Sequence, residues 1–244
     1  MRNVLGLGLI LALASMASAE VIWFDNFDSY ADQAAMDAVY TQIYPTVPAL
    51  LDQAKGYSDG QSVHFGLVTS NSQRRMYKNL GQEVDGTDVQ PLKIEFWTDL
   101  DTLIWSTRQY IELRGYTGAG YNDGTLQDMI AQGYTSSGVD TTKINGRVLL
   151  GPQAGWFSYN TAKSLEWVKL TALIKTDTIE FYVNDQLDST KQRAPGYTFD
   201  CVVIGSGLSS AGADVWFDDL TIEIVPEPGM LSLVLVAGLF LRRR

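Results

Sequence analysis

The chain is built from short stretches in which apolar and polar residues alternate, and almost nothing in it repeats at the helical spacing. In Leu92-Lys93-Ile94-Glu95-Phe96-Trp97-Thr98, the residues Leu92, Ile94 and Phe96 fall on one side. Successive side chains leave a strand on opposite sides, so this period of two is what a strand with one buried face requires. Gln109 to Arg114 sets Ile111 and Leu113 opposite Glu112 and Arg114. Thr178 to Val183 alternates as well, and Asn184-Asp185 behind it suits a tight turn with positive φ. Glu166 to Lys175 is apolar on both parities, as expected of a strand covered on both sides. Tyr197 to Gly205, Asp214 to Ile224, Val21 to Phe27, Ser62 to Thr69 and Arg74 to Leu80 complete the set of expected strands. Only Ala31 to Tyr40 reads as a short helix, closed off by Pro45 and Pro48. Many short strands divided by Gly, Asn and Asp predict an all-β fold: a single antiparallel β-sandwich or jelly roll over residues 20–225.

Composition then removes whole classes of function. A formal charge of −10 speaks against a nucleic-acid partner, which needs a basic stripe to neutralise phosphates. One cysteine forbids an intrachain disulfide, and one cysteine with one histidine forbids the usual zinc clusters. A metal would have to be held by oxygen.

The two ends read as addresses. Met1-Arg2-Asn3 is followed by an apolar run from Val4 to Ala14, and then by Ala17-Ser18-Ala19. This is the order of a signal peptide over residues 1–19, an n-terminal charge, a short helical apolar region and a cleavage site with Ala17 and Ala19 as its small residues. It implies the Sec export machinery and a signal peptidase as partners. At the other end, Pro226-Glu227-Pro228 precedes an apolar segment from Gly229 to Leu241 and then Arg242-Arg243-Arg244. As a helix that segment would reach only about 20 Å at 1.5 Å per residue, short of a hydrocarbon layer of about 30 Å.

Residues 226–244 resemble the PEP-CTERM sorting signal of exported bacterial proteins, with its Pro-Glu-Pro motif, short transmembrane helix and closing basic cluster in order. The resemblance implies an exosortase-type membrane protease as partner. It also implies transient anchoring by the C-terminal helix and delivery to the cell envelope, the cell surface or the extracellular matrix. A plain C-terminal anchor is the alternative. A second resemblance is carried by Trp23-Phe24-Asp25-Asn26-Phe27-Asp28-Ser29-Tyr30, by Trp167-Val168-Lys169-Leu170 with Phe181-Tyr182-Val183-Asn184-Asp185, and by Val215-Trp216-Phe217-Asp218-Asp219-Leu220-Thr221-Ile222. These stretches look like the concanavalin A-like, laminin-G-like jelly rolls of bacterial surface proteins.

Three sets of residues are candidates for chemistry. If the first and last strands are neighbours, as is common in such jelly rolls, Asp25 and Asp28 approach Asp218 and Asp219. Along an unbroken last strand, Asp218 would share the inward parity of Leu220 and Ile222, and a buried carboxylate needs compensation. Either a structural calcium ion or a set of backbone N–H groups would supply it. Tyr116 and Tyr121 lie in a Gly-rich stretch, and Trp156, Phe157 and Tyr159 in a stretch behind Gly151-Pro152. Both stretches read as loops with aromatic faces for an exopolysaccharide, or as caps on the sandwich.

Catalysis finds less support. Glucanases of this fold show Glu-x-Asp-x-x-Glu, which Glu95-Phe96-Trp97-Thr98-Asp99 does not reproduce. His64 stands alone, and Cys201 reads as a small buried hydrophobe. The expectation is an exported, non-catalytic surface or matrix protein that recognises polysaccharide. A purely structural envelope component and an extracellular polysaccharide hydrolase are the alternatives.

Overall fold

The computed structural model describes residues 19–43, 48–58, 60–66, 74–118, 120–121, 123–136, 138–206 and 213–225. The expected signal helix with Ala17, and the tail with Pro226, Glu227, Pro228 and Arg242, Arg243 and Arg244, lie outside the described residues. No helix among the described residues is long and apolar enough to cross a membrane.

Two antiparallel sheets face each other across one core. The first is ordered β13 (Gln186–Gln192), β12 (Thr178–Val183), β11 (Val168–Ile174), β6 (Leu92–Leu100), β15 (Val215–Ile224), β4 (Ser62–Phe65), β3 (Leu50–Asp52). Strand β1 (Glu20–Asp25) pairs with the second half of β15, setting Asp25 against Leu220, so the first and last strands are indeed neighbours. The second sheet is ordered β10 (Gly155–Ala162), β9 (Lys143–Val148), β8 (Thr125–Tyr134), β7 (Gln109–Thr117), β14 (Phe199–Ser206), β5 (Arg74–Val84), β2 (Thr41–Gln42). The one helix among the described residues, α1 (Gln33–Asp37), is shorter than expected and is started by Asp32, whose side chain accepts from the Ala35 N–H.

Alternation explains the core. Ile94 and Phe96 of β6, Leu170 and Ala172 of β11 and Phe181 of β12 point inward from the first sheet. Ile111 and Leu113 of β7, Val202 and Ile204 of β14 and Ile130 of β8 meet them from the second. Burying each large apolar side chain contributes about 1.5–3 kcal/mol. The β12–β13 hairpin turns on Asn184 at φ 48° and Asp185 at φ 65°, the type I′ geometry that a right-twisted hairpin prefers.

The last strand corrects the sequence reading. Val215 and Phe217 point into the core, and so do Leu220 and Ile222, so inward parity changes between them. The change is made by a bulge: the register against β6 slips between Asp218 and Thr221, and Asp219 sits at φ 48°. Asp218 therefore does not share a face with Leu220. It is buried on the opposite side, beneath the segment that carries Tyr57.

Candidate functional site

The strand β7 sends Ile111 and Leu113 into the core and, by the same alternation, sends Tyr110, Glu112 and Arg114 to the outer face of the second sheet. Directly paired residues share a face. Following the register across the sheet gives one row: Trp156 opposite Arg147, Arg147 opposite Ala131, Ala131 opposite Glu112, Glu112 opposite Val203 and Val203 opposite Tyr77. A neighbouring row sets Met129 against Arg114, Arg114 against Cys201 and Cys201 against Asn79. Tyr77, Cys201 and Val203 form a small cluster apart from the main core, with Tyr116 and Tyr121 packed on it.

The polar groups of this face are held in place by one another. The Arg114 Nε donates to Glu112 Oε2 at 2.6 Å, and its Nη2 reaches the same oxygen. The Arg114 Nη1 donates to the Tyr116 hydroxyl at 2.8 Å, and Arg75 donates to the Tyr121 hydroxyl at 2.7 Å. The Arg147 guanidinium lies 5.4 Å from the Trp156 ring, while those of Arg75 and Arg114 each lie 5.6 Å from the Tyr121 ring. Tyr110 meets Trp156 edge-on at 5.1 Å, and Tyr77 stacks on Tyr121 at 4.6 Å.

Glu112, only 2% exposed, has its carboxyl raised by burial, against the opposing pull of Arg114, Arg75 and Arg147. Burial pushes the Cys201 thiol up to about 12, so it is inert as a nucleophile, in keeping with its expected role as a small buried hydrophobe. Beyond Tyr121, whose N–H donates to Asn79, the face continues into a cavity of about 290 Å³ lined by Asn79, Gly81, Glu83, Gly118, Gly120 and Asp200 among others. Gly120 stands at φ 95° with the Asn79 side chain where a Cβ would be, so only glycine lets this loop close over the sheet.

The aromatic candidates therefore divide. Trp156, Tyr116 and Tyr121 belong to the face. Phe157 and Tyr159 do not: Gly155–Ala162 is the strand β10, not a loop, and its alternation turns them inward. Phe157 packs on Phe181 at 5.0 Å, and the buried Tyr159 shares a hydrogen bond with Gln132. Tyr116 likewise closes the strand β7 rather than lying in a loop. His64 is a packed side chain, stacked on Trp216 at 4.7 Å and 3.2 Å from Asp214.

The four aspartates do not fit a calcium ion. Asp25 accepts from the Phe27 N–H at 2.7 Å, the Tyr30 hydroxyl at 2.5 Å and the Tyr40 hydroxyl at 2.9 Å. Asp28 accepts from the Gln61 N–H at 2.6 Å and from the Asn26 side chain at 2.8 Å. Both oxygens of Asp218 take backbone N–H groups at 2.7 Å, from Tyr57 and Asp219. Asp219 feels the charge of Asp28 and Glu95, but among the described residues no group of three or more His, Cys, Asp or Glu side chains is disposed to hold a metal ion. Compensation for the buried acids comes from donors of the chain itself.

No family model and no curated protein matches the chain. Its architecture is similar to that of a conserved carbohydrate esterase from the Shiga toxin-encoding bacteriophage phi24B, with a TM-score of 0.57 and 12% identity over 85% of this chain and 100% of that one. It is similar too to a structure from work on endo-acting O-glycanases of the human gut microbiota that initiate mucin breakdown, with a TM-score of 0.55 and 11% identity over 84% of this chain and 99% of that one. The likeness is one of fold. It nonetheless overturns the expectation of a non-catalytic chain: that expectation rested on a missing glucanase acid motif, and this architecture is shared by enzymes of a different kind.

Proposed function

We propose that this chain is an exported, carbohydrate-active jelly-roll protein that takes a glycan along the outer face of its second sheet. One observation carries the reading: the row Trp156–Arg147–Ala131–Glu112–Val203–Tyr77, in which two aromatic rings, a guanidinium and a carboxylate share one face of six neighbouring strands, with Arg114 in the next row. Aromatic faces hold sugar rings by apolar contact, while Arg and carboxylate groups fix hydroxyls. Five strand spacings make this row about 24 Å long, enough for several rings.

Glycan arrays and calorimetric titration test it. Trp156→Ala is expected to weaken binding by at least about tenfold, the effect of roughly 1.4 kcal/mol. Unchanged binding by the variant would refute the assignment of this face.

Hydrolysis at the same face is the second reading, favoured by a buried Glu112 whose carboxyl is raised and faces outward. Incubation with polysaccharides is expected to release products from the wild type. Glu112→Gln would then bind the same glycan without releasing any. Absence of product from the wild type with every bound glycan would rule that reading out.

Export and sorting rest on the two ends of the chain, Ala17-Ser18-Ala19 and the tail from Pro226 to Arg244. Mass spectrometry of the mature protein from its own host is expected to find Glu20 as the first residue and Arg242 to Arg244 removed. A mature protein that retains Met1 would exclude signal-peptide cleavage.

A further inference from the structure

We infer that the glycan taken by this face is acidic, a chain of uronate units whose carboxylates dock on Arg147 and Arg75. The inference rests on the reading of the face as a glycan site and adds the chemical class of the ligand. Glu112 and Arg114 neutralise each other through Nε and Nη2 on one oxygen. Arg75 and Arg147 have no such partner. Among the described residues neither forms an ion pair with a carboxylate, and the Nε of each is buried without a hydrogen-bond acceptor. Arg75 spends one N–H on the Tyr121 hydroxyl, and Arg147 rests against Trp156. The Nε atoms are closed to solvent, so an incoming carboxylate would meet the terminal N–H groups of each guanidinium, in the forked geometry that guanidinium and carboxylate share.

The rest of the molecule shows that this excess of positive charge is local. The whole chain carries −10, and the outer face of the first sheet is balanced: Lys93 pairs with Glu223 at 2.6 Å, Lys169 with Asp185 at 2.7 Å and Lys175 with Glu180 at 3.1 Å. On the second sheet three arginines act on the single carboxylate of Glu112 at the centre of the face, while Glu83 and Asp200 line the cavity at one end of it. Each unpaired arginine also has a ring beside it, Trp156 for Arg147 and Tyr121 for Arg75. Four strand spacings separate β9 from β5, so the backbones that carry the two arginines stand about 20 Å apart, with both side chains acting on Glu112 between them. Such a spacing suits a polymer that carries its charges at intervals, with one ring stacked and one carboxylate held at each end.

The experiment titrates the full mature protein with polygalacturonate, methyl-esterified polygalacturonate, dextran and dextran sulfate at low and high NaCl. Polygalacturonate is expected to bind at least tenfold more tightly than its methyl ester, and to lose at least tenfold between 50 and 500 mM salt. Arg75→Gln with Arg147→Gln is expected to erase that preference while leaving the melting midpoint within a few degrees, since both side chains are half-buried at the surface. Equal affinity for the acid and its ester would overturn the acidic assignment and leave the glycan face standing. Binding of dextran sulfate but not polygalacturonate would overturn the carboxylate. Binding of none of the four, with Trp156→Ala also without effect on a glycan array, would remove the face itself.

Discussion

Replacing Arg193 by alanine is expected to lower the melting midpoint by about 10 °C, the largest effect of any single truncation outside the apolar core. Arg193 is 2% exposed and follows β13 at the edge of the first sheet. Its Nη1 donates to Asp85 at 2.7 Å and its Nη2 to the Tyr197 carbonyl at 2.7 Å, while Asp128 lies 3.8 Å away. Asp85 follows β5 and Asp128 lies within β8, so the guanidinium links the two sheets at one edge of the sandwich. Its plane also lies 5.2 Å from the Phe199 ring. Truncation would leave the buried Asp128 carboxyl, already raised by burial, without the cation that opposes that rise. Removing one member of a buried ion pair costs about 3–5 kcal/mol. For a chain of this size each kcal/mol moves the midpoint by about 2–4 °C. Arg193→Met, which keeps the length and apolar stem but drops the charge, should recover only the packing share of the loss. Calorimetry of the two variants checks this, and a midpoint within 2 °C of wild type for Arg193→Ala would show that the bridge does not hold the sheets together.

Arg193 also shows where the sequence stops being legible. The strands read from alternation are those whose inward positions hold an unbroken apolar run: Leu92, Ile94 and Phe96 in β6, Ile111 and Leu113 in β7, and Ile179, Phe181 and Val183 in β12. The strand β8 carries Asp128 and Gln132 among its buried positions, facing Arg193 at 3.8 Å and hydrogen-bonded to Tyr159 respectively, so its alternation is broken by polar residues with long-range neighbours. The strand β10 opens behind Gly151-Pro152 and reads as a loop until its pairing with β9 is known.

The candidate face was half visible in the same way. Placing Glu112 and Arg114 opposite Ile111 and Leu113 is a local matter, settled by period two. Bringing Arg147, Trp156 and Arg75 beside them depends on strand order, which no local pattern specifies. The Asp218–Asp219 bulge is a third kind of miss. Nothing in Trp216-Phe217-Asp218-Asp219-Leu220 marks one extra residue, although two adjacent aspartates are able to adopt positive φ.

Raising the pH from 5 to 8 is expected to destabilise this protein, against the usual behaviour of paired carboxylates, and Asp218 is the main cause. At 1% exposure its carboxyl is raised to about 7 by burial, with the backbone N–H groups of Tyr57 and Asp219 pulling the other way. In the unfolded chain the same group titrates near 3.8. Between these values the folded state holds a proton that the unfolded state has released, so stability falls as the pH climbs through the window. From pH 5 up to the folded value of about 7 the window spans about two units, a loss of at most about 2.7 kcal/mol. That is a fall of roughly 5–10 °C in the midpoint for a chain of this length. Asp25, Glu112, Asp128 and Asp219 are raised by burial as well and act in the same direction.

The lowered groups, Asp52 and Glu180, contribute stability that is fully present above the ordinary carboxylate range and is lost only at more acid pH, below this window. General repulsion in a chain of −10 would give a slope of the same sign, and two controls separate the causes. Salt at 0.5 M screens surface repulsion but not a buried carboxyl. Asp218→Asn removes the titration while leaving the surface charge nearly intact. Its amide faces the Tyr57 N–H with a donor, so the variant should melt lower at pH 5, yet its midpoint should change little from there to pH 8. A wild-type midpoint that holds steady or rises across that interval, or an equally steep fall in Asp218→Asn, would show that Asp218 is ionised in the folded protein throughout.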